Sequence, residues 1–201
     1  MRLGTFLHAL AGAALALGVV SSSQAQSSRA RPFSIAVPDA VLSDLQARLA
    51  RTLWPNKLPD TGWDYGTDTA YMQELAEYWR TGYDWRAEEA RLNRFAHFLA
   101  DIDGHALHFV HERSSNPDAV PILLLHGWPS SFVQMLELVP LLTAPQAHGL
   151  TGPSFHVVVA SLPGFGFSAA PTRRGVGFAT SARWMAELMH DVLGYERYGV
   201  R

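Results

Sequence analysis

The 201-residue chain contains no cysteine. Disulfide staples, thiol nucleophiles and cysteine-built zinc sites are thereby excluded, and stability has to come from packing and hydrogen bonding. An excess of basic charge is missing too. Sixteen Lys and Arg stand against 18 Asp and Glu, a formal net charge of −2, which implies no cationic face and no nucleic-acid partner. A long apolar run is also absent. The longest, Leu10 to Val20, falls short of a comfortable bilayer span. It follows Met1-Arg2 and precedes the small residues of Ser23-Gln24-Ala25. That order is the pattern of a secretory signal peptide over 1–25 with cleavage after Ala25. Residues 26–30 then read as a flexible polar leader. The expected location is the periplasm or the medium, with no stable membrane span after cleavage.

From residue 31 to about 100 the pattern is helical. Val41, Leu42, Leu45 and Leu49 share one helix face, with Asp39 in the first turn where a carboxylate suits the helix dipole. Trp54-Pro55 is expected to end that helix. Tyr71, Met72, Leu75, Tyr78 and Trp79 keep the same spacing, and Gly82 is placed to close the helix in the left-handed conformation. Asp84 is a good N-cap for a third helix, with Glu88 and Glu89 early and Arg91 and Arg94 late.

After this the period changes to two. His97 to Ile102 and His105 to Glu112 are strand-like, and Asp103-Gly104 between them is a strong hairpin signal. Ile122 to Leu125 and Phe155 to Ala160 are short apolar runs suited to strands buried on both faces. Phe132, Met135, Leu136 and Val139 mark a helix that Pro140 is expected to kink or end. A further helix carries Phe178, Ala182, Met185, Met189 and Val192 and is capped by Gly194. A third strand begins at Arg197. Strand, helix, strand, helix, strand implies an α/β fold with a parallel sheet.

The chemistry concentrates at His126-Gly127-Trp128-Pro129, directly after the first apolar strand. Gly127 lets the backbone turn and a substrate approach. Pro129 stiffens the turn, and Trp128 offers an amide at the strand tip, where ligands bind in open α/β sheets. The indole of Trp128 is expected to wall a crevice there. A plain strand-to-helix turn with a packing Trp fits these residues equally well. Ser161 to Ser168, with Phe165 between Gly164 and Gly166, follows the next strand. By itself it reads as a structural turn, but two special turns at one end of consecutive strands suggest a pocket. His105, His108 and His111 invite a metal reading that strand alternation opposes, because His108 faces away from the other two. Ser130 and Ser131 read as helix N-caps.

With these stretches in hand, the chain from residue 31 resembles the microsomal-type epoxide hydrolases of the α/β-hydrolase fold. The resemblance rests on Arg51-Thr52-Leu53-Trp54-Pro55, on Trp79-Arg80-Thr81-Gly82-Tyr83-Asp84-Trp85-Arg86, on His126-Gly127-Trp128-Pro129 and on Leu162-Pro163-Gly164-Phe165-Gly166-Phe167-Ser168. It implies an accessory region over 31–100 and the first half of a hydrolase core over 101–201. It also implies that a carboxylate nucleophile opens an epoxide through a covalent ester, with no metal and no organic cofactor. The substrate would be a small-molecule epoxide. Trp128 would supply an oxyanion-holding amide through a turn with a cis bond before Pro129, and His126, Gly127, Pro129 and Phe165 would shape the pocket. Nucleophile, second carboxylate and base map onto none of these residues. The expectation is an N-terminal part, inactive alone, that stops short of the nucleophile. A noncatalytic ligand binder of the same fold and a related dehalogenase are the competing readings.

Overall fold

The computed structural model describes residues 30–201. The expected signal peptide and nearly all of the leader lie outside the described residues. Six strands form one sheet: β1 (Ala30–Phe33), β2 (His97–Ile102), β3 (His105–Glu112), β4 (Val120–Leu125), β5 (Phe155–Ala160) and β6 (Gly199–Val200), in the order β1-β2-β3-β5-β4-β6. β1, β2, β3 and β5 pair antiparallel, while β5, β4 and β6 run parallel.

The β2–β3 hairpin has the predicted bounds. Asp103 and Gly104 both take positive φ, 55° and 74°, the two-residue turn whose twist matches that of the flanking strands. The Asp103 carboxylate also receives Arg173, Arg183 (3.2 Å) and the Trp184 indole N–H (3.2 Å). Hydrogen bonds from these groups hold it below the ordinary Asp range.

Alternation along the strands builds two cores. Leu123, Val158, Ala160 and Phe109 face Trp184, Met185, Leu188 and Met189 of α5 (Phe178–Glu187) and its π-helical continuation, Leu188–Val192. Leu124, Val157, Val159 and Val110 face the other way, onto Phe132, Leu136 and Val139 and onto Leu92 at the end of α3 (Trp85–Leu92). The connection from β4 to β5 carries α4 (Leu138–Thr143) on this second face. The connection from β5 to β6 carries α5 on the first. β5 and β6 lie on either side of β4, so the direction of winding reverses here. The carboxyl ends of β4 and β6 therefore flank a topological switch point, which is where such sheets bind ligands.

The accessory segment departs from the all-helical expectation at its start. Arg31, Pro32 and Phe33, with Ala30 of the expected leader, form edge strand β1 on β2, a position that tolerates Pro. The expected boundary at 100/101 accordingly falls inside β2, which belongs to both parts. Helix α1 (Asp39–Ala50) stops short of Trp54-Pro55, because its last carbonyls are taken by Arg51 N–H and the Thr52 hydroxyl. Helix α2 (Thr69–Thr81) is capped by the Asp68 carboxylate on Tyr71 N–H, and α3 by Asp84 on Ala87 N–H.

Gly82 ends α2 with φ −105°, not in the left-handed region. Glycine is needed there for space instead, since a Cβ would lie 2.8 Å from the Tyr78 ring. Pro140 sits in the first turn of α4, where its missing N–H costs nothing. The expected helix over 132–139 is split into a 3-10 turn, Phe132–Met135, followed by α4.

Only α3 packs its segment firmly on the sheet; α1 and α2 bury no residue. The attachment is polar as well as apolar. The Asn93 side chain accepts from Ile35 N–H (2.9 Å) and donates to Ile35 C=O (2.8 Å), and Glu89 accepts from Val37 N–H (2.7 Å). The Val37 N–H is the main reason the Glu89 carboxyl lies below its usual range.

Candidate functional site

β4 ends at Leu125 opposite Ala160, the last residue of β5. The His126–Pro129 turn and the Ser161–Ser168 turn therefore leave neighbouring strands side by side. One ring joins them. His126 is buried, 3% exposed. Its Nε2 accepts from Leu162 N–H at 3.1 Å, which leaves Nδ1–H to donate to the Gly127 carbonyl at 3.0 Å. Phe165 packs edge-on against the same ring, centroids 5.2 Å apart.

The Gly127 carbonyl also accepts from Ser130 N–H at 3.1 Å. Two donors thus hold the oxygen of the Gly127–Trp128 peptide. In a planar trans unit the N–H points opposite to the C=O, so fixing the oxygen aims the Trp128 N–H the other way. That N–H donates to no group among the described residues. The Trp128–Pro129 bond is cis, as the resemblance implies.

Other expectations are corrected. The Trp128 indole is 82% exposed and walls no crevice within the described residues. Gly127 does not take positive φ, and a Cβ on it meets nothing within 4 Å, so the turn does not demand glycine there. The glycine that is demanded is Gly166. It has φ +52°, and a Cβ would lie 2.8 Å from Ser161 Oγ and 3.2 Å from the Phe132 ring. Neither serine after Pro129 caps with its side chain: Ser130 Oγ donates to Gln134 Oε1 at 2.7 Å, and Ser131 makes no cap bond.

The three histidines of β3 part as alternation requires. His105 lies 4.6 Å from the Trp184 ring and His111 bonds Tyr195 OH at 2.9 Å, both on the α5 side, while His108 faces Phe132. Sequence reasoning overlooked Ser161, Ser168 and the Leu162 amide. The signal available was a serine at each end of a Gly-rich turn.

The profile described as Epoxide hydrolase N terminus matches residues 30–135. The chain belongs to the epoxide hydrolase family. A second profile, alpha/beta hydrolase fold, matches residues 120–200. The two overlap across β4 and the His126–Pro129 turn. The chain is 50% identical over 168 residues to a putative epoxide hydrolase of Stigmatella aurantiaca, covering 83% of this chain and 38% of that protein. It is 35% identical over 173 residues to epoxide hydrolase 1 of Sus scrofa, covering 84% and 38%. Juvenile hormone epoxide hydrolase of Bombyx mori superposes with TM-score 0.77 at 30% identity, over 89% of this chain and 43% of that one. The Aspergillus niger epoxide hydrolase gives 0.74 at 35%, over 85% and 45%. The chain thus spans 38% of the length of these curated relatives.

Proposed function

We propose that this chain forms the part of an epoxide hydrolase that holds negative charge on the carbonyl oxygen of an ester intermediate. In the reaction we assign, a carboxylate attacks an epoxide carbon, the C–O bond breaks, its oxygen takes a proton from an acid in the remainder of the enzyme, and an alkyl ester forms on the carboxylate. A base-activated water then adds to the ester carbonyl, and the electron pair moves onto its oxygen. The Trp128 N–H donates to that oxyanion, alongside the amide following the nucleophile. Collapse of the tetrahedral intermediate restores the carboxylate and releases a vicinal diol. No metal or organic cofactor enters these steps.

The observation that carries the reading is the Trp128 amide itself: without an internal acceptor, aimed from its carbonyl side by His126 and Ser130, and placed at the switch point of the sheet. A fixed donor of this kind needs no reorganisation as charge develops. Because the chain spans 38% of the Stigmatella aurantiaca relative, the test uses a chimera in which that protein supplies the remainder. Residues 30–201 replace its matched part, and its own activity serves as the control. The chimera is expected to convert styrene oxide to its diol. Trp128→Pro, which deletes the N–H, should lower kcat by about 10²–10³-fold. A folded chimera that makes no diol beside an active control would end this reading.

Export is part of the same proposal, supported by the basic start, the apolar run 10–20 and the Ala25 site. Sequencing the N-terminus of protein recovered outside the cytoplasm should begin at Gln26.

A further inference from the structure

We propose that a line of hydrogen bonds beginning in the accessory segment sets the aim of the Trp128 N–H, making His97, His108 and Ser161 positioning residues for it. This rests on the oxyanion reading above and extends it to residues outside the motif.

The line starts at the Leu92 carbonyl, at the end of α3. His97 Nε2 lies 2.8 Å from it. A carbonyl only accepts, so Nε2 carries the hydrogen. In a neutral ring Nδ1 is then an acceptor, and it sits 2.9 Å from His108 Nε2, which must donate. His108 Nδ1 is left to accept, 2.8 Å from Ser161 Oγ, so the hydroxyl donates. Each bond dictates the polarity of the next. Burial favours the uncharged form of both rings.

The main chain of Ser161 is held as firmly. Its N–H donates to His108 C=O at 2.9 Å. Its carbonyl accepts from Ser168 Oγ at 2.8 Å, and that oxygen accepts from His108 N–H at 2.9 Å. The next residue is Leu162, whose N–H meets His126 Nε2, and His126 Nδ1–H holds the Gly127 carbonyl. The other face of that peptide is the Trp128 N–H. A continuous polar path thus joins the end of α3 to the candidate amide.

Among the described residues the two rings and the Ser161 hydroxyl have no hydrogen-bond partners outside the path. His97, His108 and Ser161 are 3%, 0% and 0% exposed. Phe33, Phe132 and Phe167 ring His108 at centroid distances of 5.5, 4.8 and 5.4 Å. In so dry a setting an unmatched donor or acceptor is costly, and linked bonds reinforce one another. The arrangement accordingly has one low-energy setting, and the Ser161 turn is pinned by it.

The test is ring and amide nitrogen-15 spectroscopy on the full 201-residue chain. Wild type should show His97 and His108 as Nε2–H tautomers and His126 as Nδ1–H. Ser161→Ala, which removes one oxygen, should move the His126 Nε2 and Trp128 amide signals while leaving Leu123 and Val158 amides in place. His97→Leu should act likewise, and His97→Asn, which retains an acceptor towards His108, should restore the wild-type signals. If His97→Leu does not fold, Ser161→Ala decides. Unmoved His126 and Trp128 signals in Ser161→Ala overturn the proposal. Combined with a loss of activity in the Trp128→Pro chimera, that outcome spares the oxyanion reading. A moved amide with a fully active Trp128→Pro chimera overturns the oxyanion reading, and with it the catalytic purpose of the line.

Discussion

Acid should destabilise this fold through His108. Burial on all sides, with the neighbouring His97 opposing a second charge, holds the ring at about 3 against an ordinary value of 6.5. The unfolded chain takes up a proton near pH 6.5 that the folded chain refuses until near pH 3. Stability from this ring is therefore fully present above pH 6.5 and drains away as pH falls through that window. At pH 5 the unfolded ring is almost wholly protonated and the folded ring almost wholly neutral. One and a half pH units at about 1.36 kcal/mol each give a loss of about 2 kcal/mol relative to pH 8. Burial also holds His111 at about 4, with Arg113 and His156 adding to the effect, so the total fall in wild type is larger. Urea unfolding at pH 8 and pH 5, for wild type and His108→Leu, isolates the one ring: the variant should show a pH 8 to pH 5 difference smaller by about 2 kcal/mol. The ring's own titration, followed by nitrogen-15 shifts, gives a second reading that needs no variant. A His108 that titrates near 6.5 in the folded chain would refute the reasoning.

Three further outcomes follow from the geometry. Asn93→Ala strips Ile35 of both main-chain partners and should cost about 1–3 kcal/mol; an unchanged urea midpoint would show that the Asn93 bonds add nothing to the hold on α3. Gly166→Ala forces a side chain into a left-handed residue, at about 1–2 kcal/mol, and against Ser161 Oγ; calorimetry should show a lower Tm and the His126 ring signal should shift. Gly127→Ala, in contrast, enters open space at an ordinary φ and should change stability by no more than about 0.5 kcal/mol, although it sits in the most conspicuous motif of the chain.

Local patterns carried much of the fold into the sequence. Asp103-Gly104 marks its hairpin because few residues accept consecutive positive φ, and the apolar runs at 122–125 and 155–160 declare strands that have no wet face. β1 escaped notice because a four-residue edge strand containing Pro32 has neither length nor alternation. The break after Met135 and the position of Pro140 were misread because spacing alone does not distinguish one long helix from a turn followed by a short one. At the site, His126 stood out as part of the motif, but its partner did not. Leu162 is an apolar side chain whose contribution is a backbone N–H, and main-chain groups leave no trace in residue identity. The same holds for His97 and His108, which are 11 residues apart in the chain and 2.9 Å apart in space.

The clasp on Asp103 has an evolutionary consequence. The stretch that leads from the second turn into α5 is tethered at its near end, where Ala169 N–H meets Ala106 C=O at 2.8 Å, and at its far end by Arg173, Arg183 and Trp184 on one carboxylate. Between the tethers, residues 170–172 are exposed. Extra residues inserted after Pro171 would lengthen a surface arch while Ala170 and Pro171 keep their places beside Gly164. Variation in loop length at that point would reshape the surface at this end of the sheet while the Asp103 clasp stays where it is.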